Sequence, residues 1–155
     1  MKQTWNSIDE VLAFAIEKEQ EAADFYLALS RQSNRESLRE LLVSFAQEEL
    51  GHKAKLEAIR AGELRLAFSS TAISDLGLTE SLRSTPPEDF EQLDYASALI
   101  LAMNAEKAAF KMYSELARVA SDDGLRQSFL GLAQEEAKHK LRFELEYDEF
   151  VLTEN

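Results

Sequence analysis

The octapeptide AQEELGHK (residues 46–53) returns almost unchanged as AQEEAKHK (residues 133–140), 87 residues further along the chain. These two stretches contain His52 and His139, the only two histidines among 155 residues, and each follows a glutamate by three positions. Side chains three apart on a helix lie about one turn from each other on neighbouring positions of one face. Each octapeptide therefore predicts a helix that presents a carboxylate and an imidazole together.

The repeat extends well beyond the octapeptides, because residues of matching character lie 87 apart along both halves, such as Glu19 with Glu106. In four segments, apolar residues recur at alternating intervals of four and three, which is typical of a helix that buries one face. The predicted buried faces run through Ile8, Leu12, Ala15, Ala22, Tyr26 and Leu29; Leu38, Leu42, Phe45, Leu56 and Ile59; Tyr95, Leu99, Ala102, Ala109, Tyr113 and Leu116; and Leu125, Phe129, Leu132 and Phe143. The pattern indicates an internal duplication of a helical pair.

The connections within each pair are short, which predicts two antiparallel helical hairpins at about 7–61 and about 94–150. Ser33 followed by Glu36 is a capping-box pattern and predicts the start of the second helix. The crossover at about 62–93 contains glycine, proline, serine and threonine and lacks helical periodicity. We therefore expect an all-α four-helix bundle, with residues 1–155 forming a single domain.

Composition excludes several classes of function. The net charge of -12 would repel nucleic-acid phosphates and anionic membrane surfaces, so we expect neither as a partner. The chain has no cysteine, which excludes thiolate metal sites, cysteine nucleophiles and iron–sulfur clusters within it. No apolar stretch follows the first residues, and none elsewhere is long enough to span a bilayer. We expect a cytoplasmic protein.

Six ionisable residues fall on the predicted buried faces: Glu19, Glu49, His52, Glu106, Glu136 and His139. A single Glu-x-x-His in a glutamate-rich helix is usually a solvated face, but the duplicated pair at matched spacing favours metal ligation. Four buried carboxylates repel one another and lose their hydration, and two divalent cations would balance their charge. Oxygen and imidazole donors suit iron or manganese, with zinc as a substitute. Glu48 and Glu135 lie on the helix flanks, and we predict that they are solvated.

The segments AIEKEQEAADFY and AQEELGH, with AMNAEKAAFKMY and AQEEAKH, resemble the rubrerythrin group of the ferritin-like di-iron carboxylate proteins. The resemblance implies a ferritin-like bundle that holds two irons. It implies bridging roles for Glu49 and Glu136. The terminal ligands would be Glu19 and His52 at one iron, and Glu106 and His139 at the other.

Tyr26 and Tyr113 each lie seven residues after one of the lone glutamates, on the same helix face. They are predicted to donate hydrogen bonds to the ligand carboxylates; the alternative is that they are ordinary core residues with a satisfied hydroxyl. No catalytic residue beyond the ligands is predicted.

This chain departs from the rubrerythrin pattern in two respects. It lacks the cysteines of a rubredoxin-like module, so electrons are expected from an external donor such as a separate rubredoxin or a flavoprotein. Rubrerythrins also carry an extra carboxylate beside the third-helix ligand, whereas Glu106 has Met103, Ala109 and Phe110 as its neighbours.

The resemblance implies an oxidoreductase that reduces hydrogen peroxide or dioxygen, with two irons as cofactor. The first alternative is a ferroxidase or iron-handling protein without peroxidase turnover. The second is a helical interaction module with a structural metal. We expect a homodimer, with or without exchange of a helical hairpin between the chains.

Overall fold

The computed structural model describes residues 7–62 and 94–154, with side chains as far as residue 152. The described residues form four α-helices and contain no strand. The helices are α1 (Ile8–Gln32), α2 (Glu36–Ala61), α3 (Tyr95–Val119) and α4 (Asp123–Glu154). The predicted crossover lies outside the described residues apart from Gly62. The prediction of four helices in two hairpins is confirmed, although α4 continues past residue 150.

Three of the helices begin where a side chain satisfies a free backbone amide. The oxygen of Ser7 accepts from the amide of Glu10, and that of Asp94 accepts from the amide of Ser97. At the start of α4, a carboxylate oxygen of Asp122 accepts from the amide of Leu125 at 2.8 Å. The capping box predicted at the start of α2 is wrong, because Arg35 occupies the N-cap without a side-chain hydrogen bond. Ser33 instead ends α1, and its hydroxyl accepts from the Arg35 amide at 3.2 Å.

Each hairpin packs closely against itself: α1 lies on α2, and α3 lies on α4. The antiparallel direction of the first pair is visible in two contacts. Arg60 near the end of α2 pairs with Asp9 near the start of α1 at 2.7 Å, and Lys53 donates to Gln20 at 2.8 Å. Between the hairpins, α1 approaches α3 at only a few positions. The side chains in the middle of the bundle therefore carry much of the contact between hairpins.

Two apolar clusters fill the two ends of the bundle, and all four helices contribute to each. The first cluster includes Leu12, Leu56, Leu116 and Phe129. The second includes Leu29, Leu42, Leu99 and Phe143. Water is excluded from both layers, so the ionisable residues between them are enclosed on two sides. Among the described residues, no helix combines the length and the apolarity needed to cross a membrane.

A fifth buried carboxylate among the described residues lies at one end of the bundle, outside the predicted site. Glu146 of α4 is only 3% exposed and forms an ion pair with Arg35 at the start of α2. Arg35 also reaches Glu149 at 3.5 Å. The predicted buried face of α4 ended at Phe143, although one further step of three residues leads to Glu146. An ion pair to a nearby arginine offsets the cost of burying this carboxylate.

Candidate metal centre

All six side chains predicted as metal ligands meet in one buried cluster halfway along the bundle. Each is at most 5% exposed. The cluster takes Glu19 from α1, Glu49 and His52 from α2, Glu106 from α3, and Glu136 and His139 from α4. The 30 residues that separate the lone glutamate from the Glu-x-x-His in each half bring them level across the hairpin turn.

The six residues form two overlapping groups, in each of which one donor atom per residue lies within 4.8 Å of all the others. The first group is Glu19, Glu49, His52 and Glu136, and the second is Glu49, Glu106, Glu136 and His139. Glu49 and Glu136 belong to both groups. This arrangement agrees with the bridging role that the resemblance implies for these two carboxylates, while their role as ligands stays a prediction.

One polar atom of each of the six residues is buried without a hydrogen-bond partner among the described residues. The atoms are Glu19 Oε2, Glu49 Oε1, His52 Nδ1, Glu106 Oε2, Glu136 Oε1 and His139 Nδ1. Buried polar atoms in native proteins are almost always hydrogen-bonded, so six such atoms in one place require an explanation. Coordination of two cations by oxygen and nitrogen donors would satisfy all six. The residues therefore fit a di-metal site of iron or manganese type.

Each histidine ring is held between the cluster and a glutamate of the other hairpin. Nδ1 of His52 lies 2.7 Å from Glu136 Oε1, in a contact that is not directed as a hydrogen bond, while its Nε2 contacts Glu135. For His139, Nδ1 faces the cluster and Nε2 lies 3.2 Å from Glu48 Oε2. A carboxylate on Nε2 fixes the tautomer that leaves Nδ1 free to bind a metal.

Glu48 and Glu135 are exposed, as predicted, but their contacts with the histidines were not predicted. They are half-exposed, at 48% and 51%, yet each contacts a histidine of the opposite hairpin. Their flank position on one helix was read correctly from the periodicity. What the periodicity of one helix does not reveal is that α2 and α4 bring these flanks against each other.

The two predicted tyrosines are fully buried, and both hydroxyls donate to glutamates of the cluster. Tyr26 of α1 donates to Glu106 of α3, and Tyr113 of α3 donates to Glu19 of α1. Each therefore bonds the lone glutamate of the other hairpin and not the one on its own helix. Burial and the neighbouring Glu106 raise the pKa of Tyr26 well above its usual value, and burial and Glu19 do the same for Tyr113. Both hydroxyls therefore stay protonated and act as donors.

Without cations, protons must balance much of the buried charge. Burial and the charge of Glu49 raise the pKa of Glu19 to about 8. Burial would also raise the pKa of Glu49, but the imidazoles of His139 and His52 outweigh it and lower this pKa to about 2. Burial raises the pKa of both Glu106 and Glu136.

The histidines are shifted in the opposite direction from that expected for buried bases. Burial lowers the pKa of an imidazole, but for His52 the carboxylates of Glu19 and Glu49 outweigh burial and raise the pKa to about 11. For His139, Glu106 and Glu49 do the same and raise it to about 10. The metal-free cluster is thus a set of protonated imidazoles and shared carboxyl protons, which bound metals would displace.

This fold and this cluster define the ferritin-like di-iron carboxylate class of helical bundle. A chain from Thermotoga maritima described as a ferritin-like diiron-carboxylate protein superposes with a TM-score of 0.76 at 17% identity, covering 96% of this chain and 99% of that one. A hypothetical protein from Pyrococcus furiosus superposes with a TM-score of 0.69 at 22% identity, covering 92% and 89%. These likenesses confirm the predicted ferritin-like fold.

Within that class, the family model described as rubrerythrin matches residues 10–86. The chain is a rubrerythrin-like member of the ferritin-like di-iron carboxylate superfamily, and the resemblance read from the sequence is confirmed. The 155 residues contain no cysteine and so no four-cysteine iron of rubredoxin type. A comparison with curated proteins gives no significant match.

The shifted pKa values predict how the stability of the metal-free protein depends on pH. A carboxyl group whose pKa is raised by folding contributes its full stabilisation below the pKa of the unfolded state, near 4.5. For Glu19 this contribution is lost as the pH rises through its folded-state pKa of about 8. The histidines lose their stabilising contribution as the pH rises from 6.5 towards their folded-state pKa values, which are about 11 for His52 and about 10 for His139. The melting temperature of the metal-free protein should therefore fall between about pH 5.5 and about pH 8.5.

Calorimetry of the metal-free protein and of its Glu19→Gln variant measures this dependence. The variant lacks one of the titrating carboxyls and should show a shallower decline. Added metal should raise the melting temperature more at the higher pH, since metals bind the deprotonated ligands. A wild-type melting temperature that is flat or rises over this range would contradict the assigned shifts.

Glu48 and Glu135 are predicted to strengthen metal binding through the histidines that they contact. Partners of this kind are typically worth about 10- to 100-fold in metal affinity, so Glu48→Gln and Glu135→Gln should each weaken binding by about that factor. Titration with cobalt(II), followed by its absorption, measures the affinity. Glu57→Gln removes the same charge from an exposed position of α2 and serves as the control. Equal affinities in all three variants would show that the two contacts do not support the site.

Proposed function

We propose that this protein holds two iron ions between its four helices and reduces hydrogen peroxide or dioxygen with electrons from an external donor. The observation that carries the proposal is the set of six donor atoms that lie in one buried cluster and make no hydrogen bond. Two of its carboxylates belong to both groups of potential ligands, as a pair of bridged metals requires. The rubrerythrin family match supports iron as the metal.

Two ferrous ions in this cluster would supply one electron each, so that hydrogen peroxide takes up two electrons and two protons, its O–O bond breaks, and two waters form. The protein contributes the positioning. Glu49 and Glu136 would hold the metals close together, and the tyrosine hydroxyls fix the orientation of Glu19 and Glu106. The apolar clusters at both ends keep bulk water away from the reacting centre.

The oxidised site must be reduced again before a second turnover. Since the 155 residues contain no cysteine, they hold no thiolate-bound iron that could relay electrons internally. We therefore propose a separate rubredoxin or a flavoprotein as the donor, acting in the cytoplasm. We also propose a homodimer.

The second candidate function is iron handling, in which the site oxidises ferrous iron and passes it on. The net charge of -12 favours this candidate, because it concentrates cations around the protein. The two functions differ in what happens to the iron. A peroxidase retains its two ions through many turnovers, whereas an iron-handling protein releases ferric iron and takes up ferrous iron again.

Stopped-flow spectroscopy of the iron-loaded, reduced protein tests the proposal. Hydrogen peroxide should oxidise the site faster than dioxygen does, and the iron should stay bound when a ferric chelator is present. Glu136→Ala, which removes a carboxylate shared by both groups, should abolish the fast phase, while Glu57→Gln should leave it unchanged. Equal rates with the two oxidants would remove the peroxidase assignment, and transfer of iron to the chelator on each turnover would favour iron handling.

A further inference from the structure

The most exposed large apolar residues in the described part of the chain lie along the outer face of α4. Leu141 is 56% exposed, Leu145 52% and Leu152 76%, whereas no large apolar residue described on the other three helices exceeds 41%. With 3.6 residues per turn, these leucines lie within about 40° of one another around the helix. They form one apolar stripe on the side of α4 that faces away from the buried His139 and Phe143. Exposed apolar patches of this kind mark sites of interaction.

The charges beside this stripe are separated along the helix. Lys138 and Arg142 come before Leu145, while Asp148 and Glu149 come after it, and all four are exposed. The face therefore carries two positive and two negative charges at these positions, although the whole chain has a net charge of -12. Two copies of a strongly acidic chain repel each other least where their surfaces are locally neutral.

A two-fold axis at Leu145 makes this face complementary to itself. The α4 helix of a second copy would run antiparallel, and Leu145 would meet Leu145 of that copy. Arg142 lies three residues before the axis and Glu149 four residues after it, so Arg142 of one copy and Glu149 of the other differ in level by about 1.5 Å. Both lie on the same side of the stripe and would therefore face each other. Leu141 lies within one turn of the level of Leu152 of the second copy.

Glu149 can form this pair without giving up its contact within the chain. Its side chain is 62% exposed, and it reaches Arg35 only at 3.5 Å. The closer partner of Arg35 is the buried Glu146. An ionised carboxylate has about four acceptor positions on its two oxygens, so Glu149 can accept from Arg35 and from an arginine of a second copy together.

We propose that the outer face of α4, from Lys138 to Leu152, is the interface of a homodimer whose two copies meet across a two-fold axis at Leu145. The face matches itself, since the leucines meet and opposite charges lie opposite each other, which is why the occupant is a second copy of this chain. This inference assigns a surface to the proposed homodimer and is independent of the metal chemistry. A contact between two single helices is at the low end of specific interfaces, so we expect a dissociation constant in the micromolar range.

Sedimentation velocity of the metal-loaded protein between about 1 and about 500 µM measures the association. The wild type should change from monomer to dimer within this range. Leu145→Glu places two carboxylates against each other at the axis and should weaken the dimer by about 100-fold or more. Ile100→Glu introduces the same charge at an exposed apolar position of α3 and should leave the association unchanged.

Two results of this measurement would overturn the proposal. A wild type that stays monomeric throughout would mean that the stripe serves another partner or another part of the chain. A dimer that persists equally in Leu145→Glu would remove this interface while leaving a homodimer, as expected if a helical hairpin is exchanged between the chains.

Exchanging two charges tests the antiparallel arrangement. Arg142→Glu and Glu149→Arg should each weaken the dimer by about tenfold, because both symmetric pairs become repulsive. The double variant Arg142→Glu/Glu149→Arg restores opposite charges and should recover the affinity to within about threefold. Far-UV circular dichroism and the metal content show that each variant is folded. A folded double variant that associates no better than the single variants would overturn this arrangement.

Cross-linking tests the position of the axis without changing any charge. Because the chain has no cysteine, Leu145→Cys carries a single thiol. A disulfide forms only between residues whose Cα atoms come within about 7 Å, which residue 145 should achieve with its own copy. Mild oxidation should therefore give covalent dimers of Leu145→Cys, whereas Ile100→Cys should stay monomeric. Equal cross-linking of the two variants would contradict the proposal.

Discussion

The balance of charge in the middle of the bundle is the constraint on which the rest of the structure depends. Four carboxylates and two imidazoles are enclosed between two apolar layers, at a depth where an uncompensated charge is costly. Protons can meet this cost in part, as the raised pKa values of Glu19 and both histidines indicate. Six donor atoms still make no hydrogen bond, and coordination to two cations would satisfy them.

The same cluster also joins the two halves of the duplicated chain. Within each hairpin the helices pack closely, whereas α1 and α3 meet at few positions. The hydrogen bonds of the tyrosines and the contacts of the two histidine Nε2 atoms run from one hairpin to the other, in pairs related by the repeat. Metal binding and the association of the hairpins are therefore coupled, and a bound metal pair should stabilise the whole bundle.

Much of this arrangement could be predicted from the sequence, because it depends on the periodicity of apolar residues and on the internal repeat. The predicted buried face of each helix and the offset of 87 residues are sufficient to select Glu19 and Glu106 from 29 acidic residues. What could not be predicted depends on which helix faces which. Glu48 and Glu135 lie on flanks that look solvated until α2 and α4 are placed together. For the same reason, the sequence did not show that each tyrosine donates its hydrogen bond to the glutamate of the opposite hairpin.

Two further differences have local causes. The start of α2 was misplaced because Ser33 bonds an amide in the turn and not in the helix. Glu146 was missed because its buried position is made tolerable by Arg35, which is distant in sequence.

The most direct test of the central claim is the number and position of metal ions in the protein purified from its native host. Elemental analysis combined with anomalous diffraction at the iron edge measures both. The account predicts two iron ions per chain, one within each group of four ligands and both between Glu49 and Glu136. Fewer than one transition-metal ion per chain, or ions bound only outside this cluster, would contradict it.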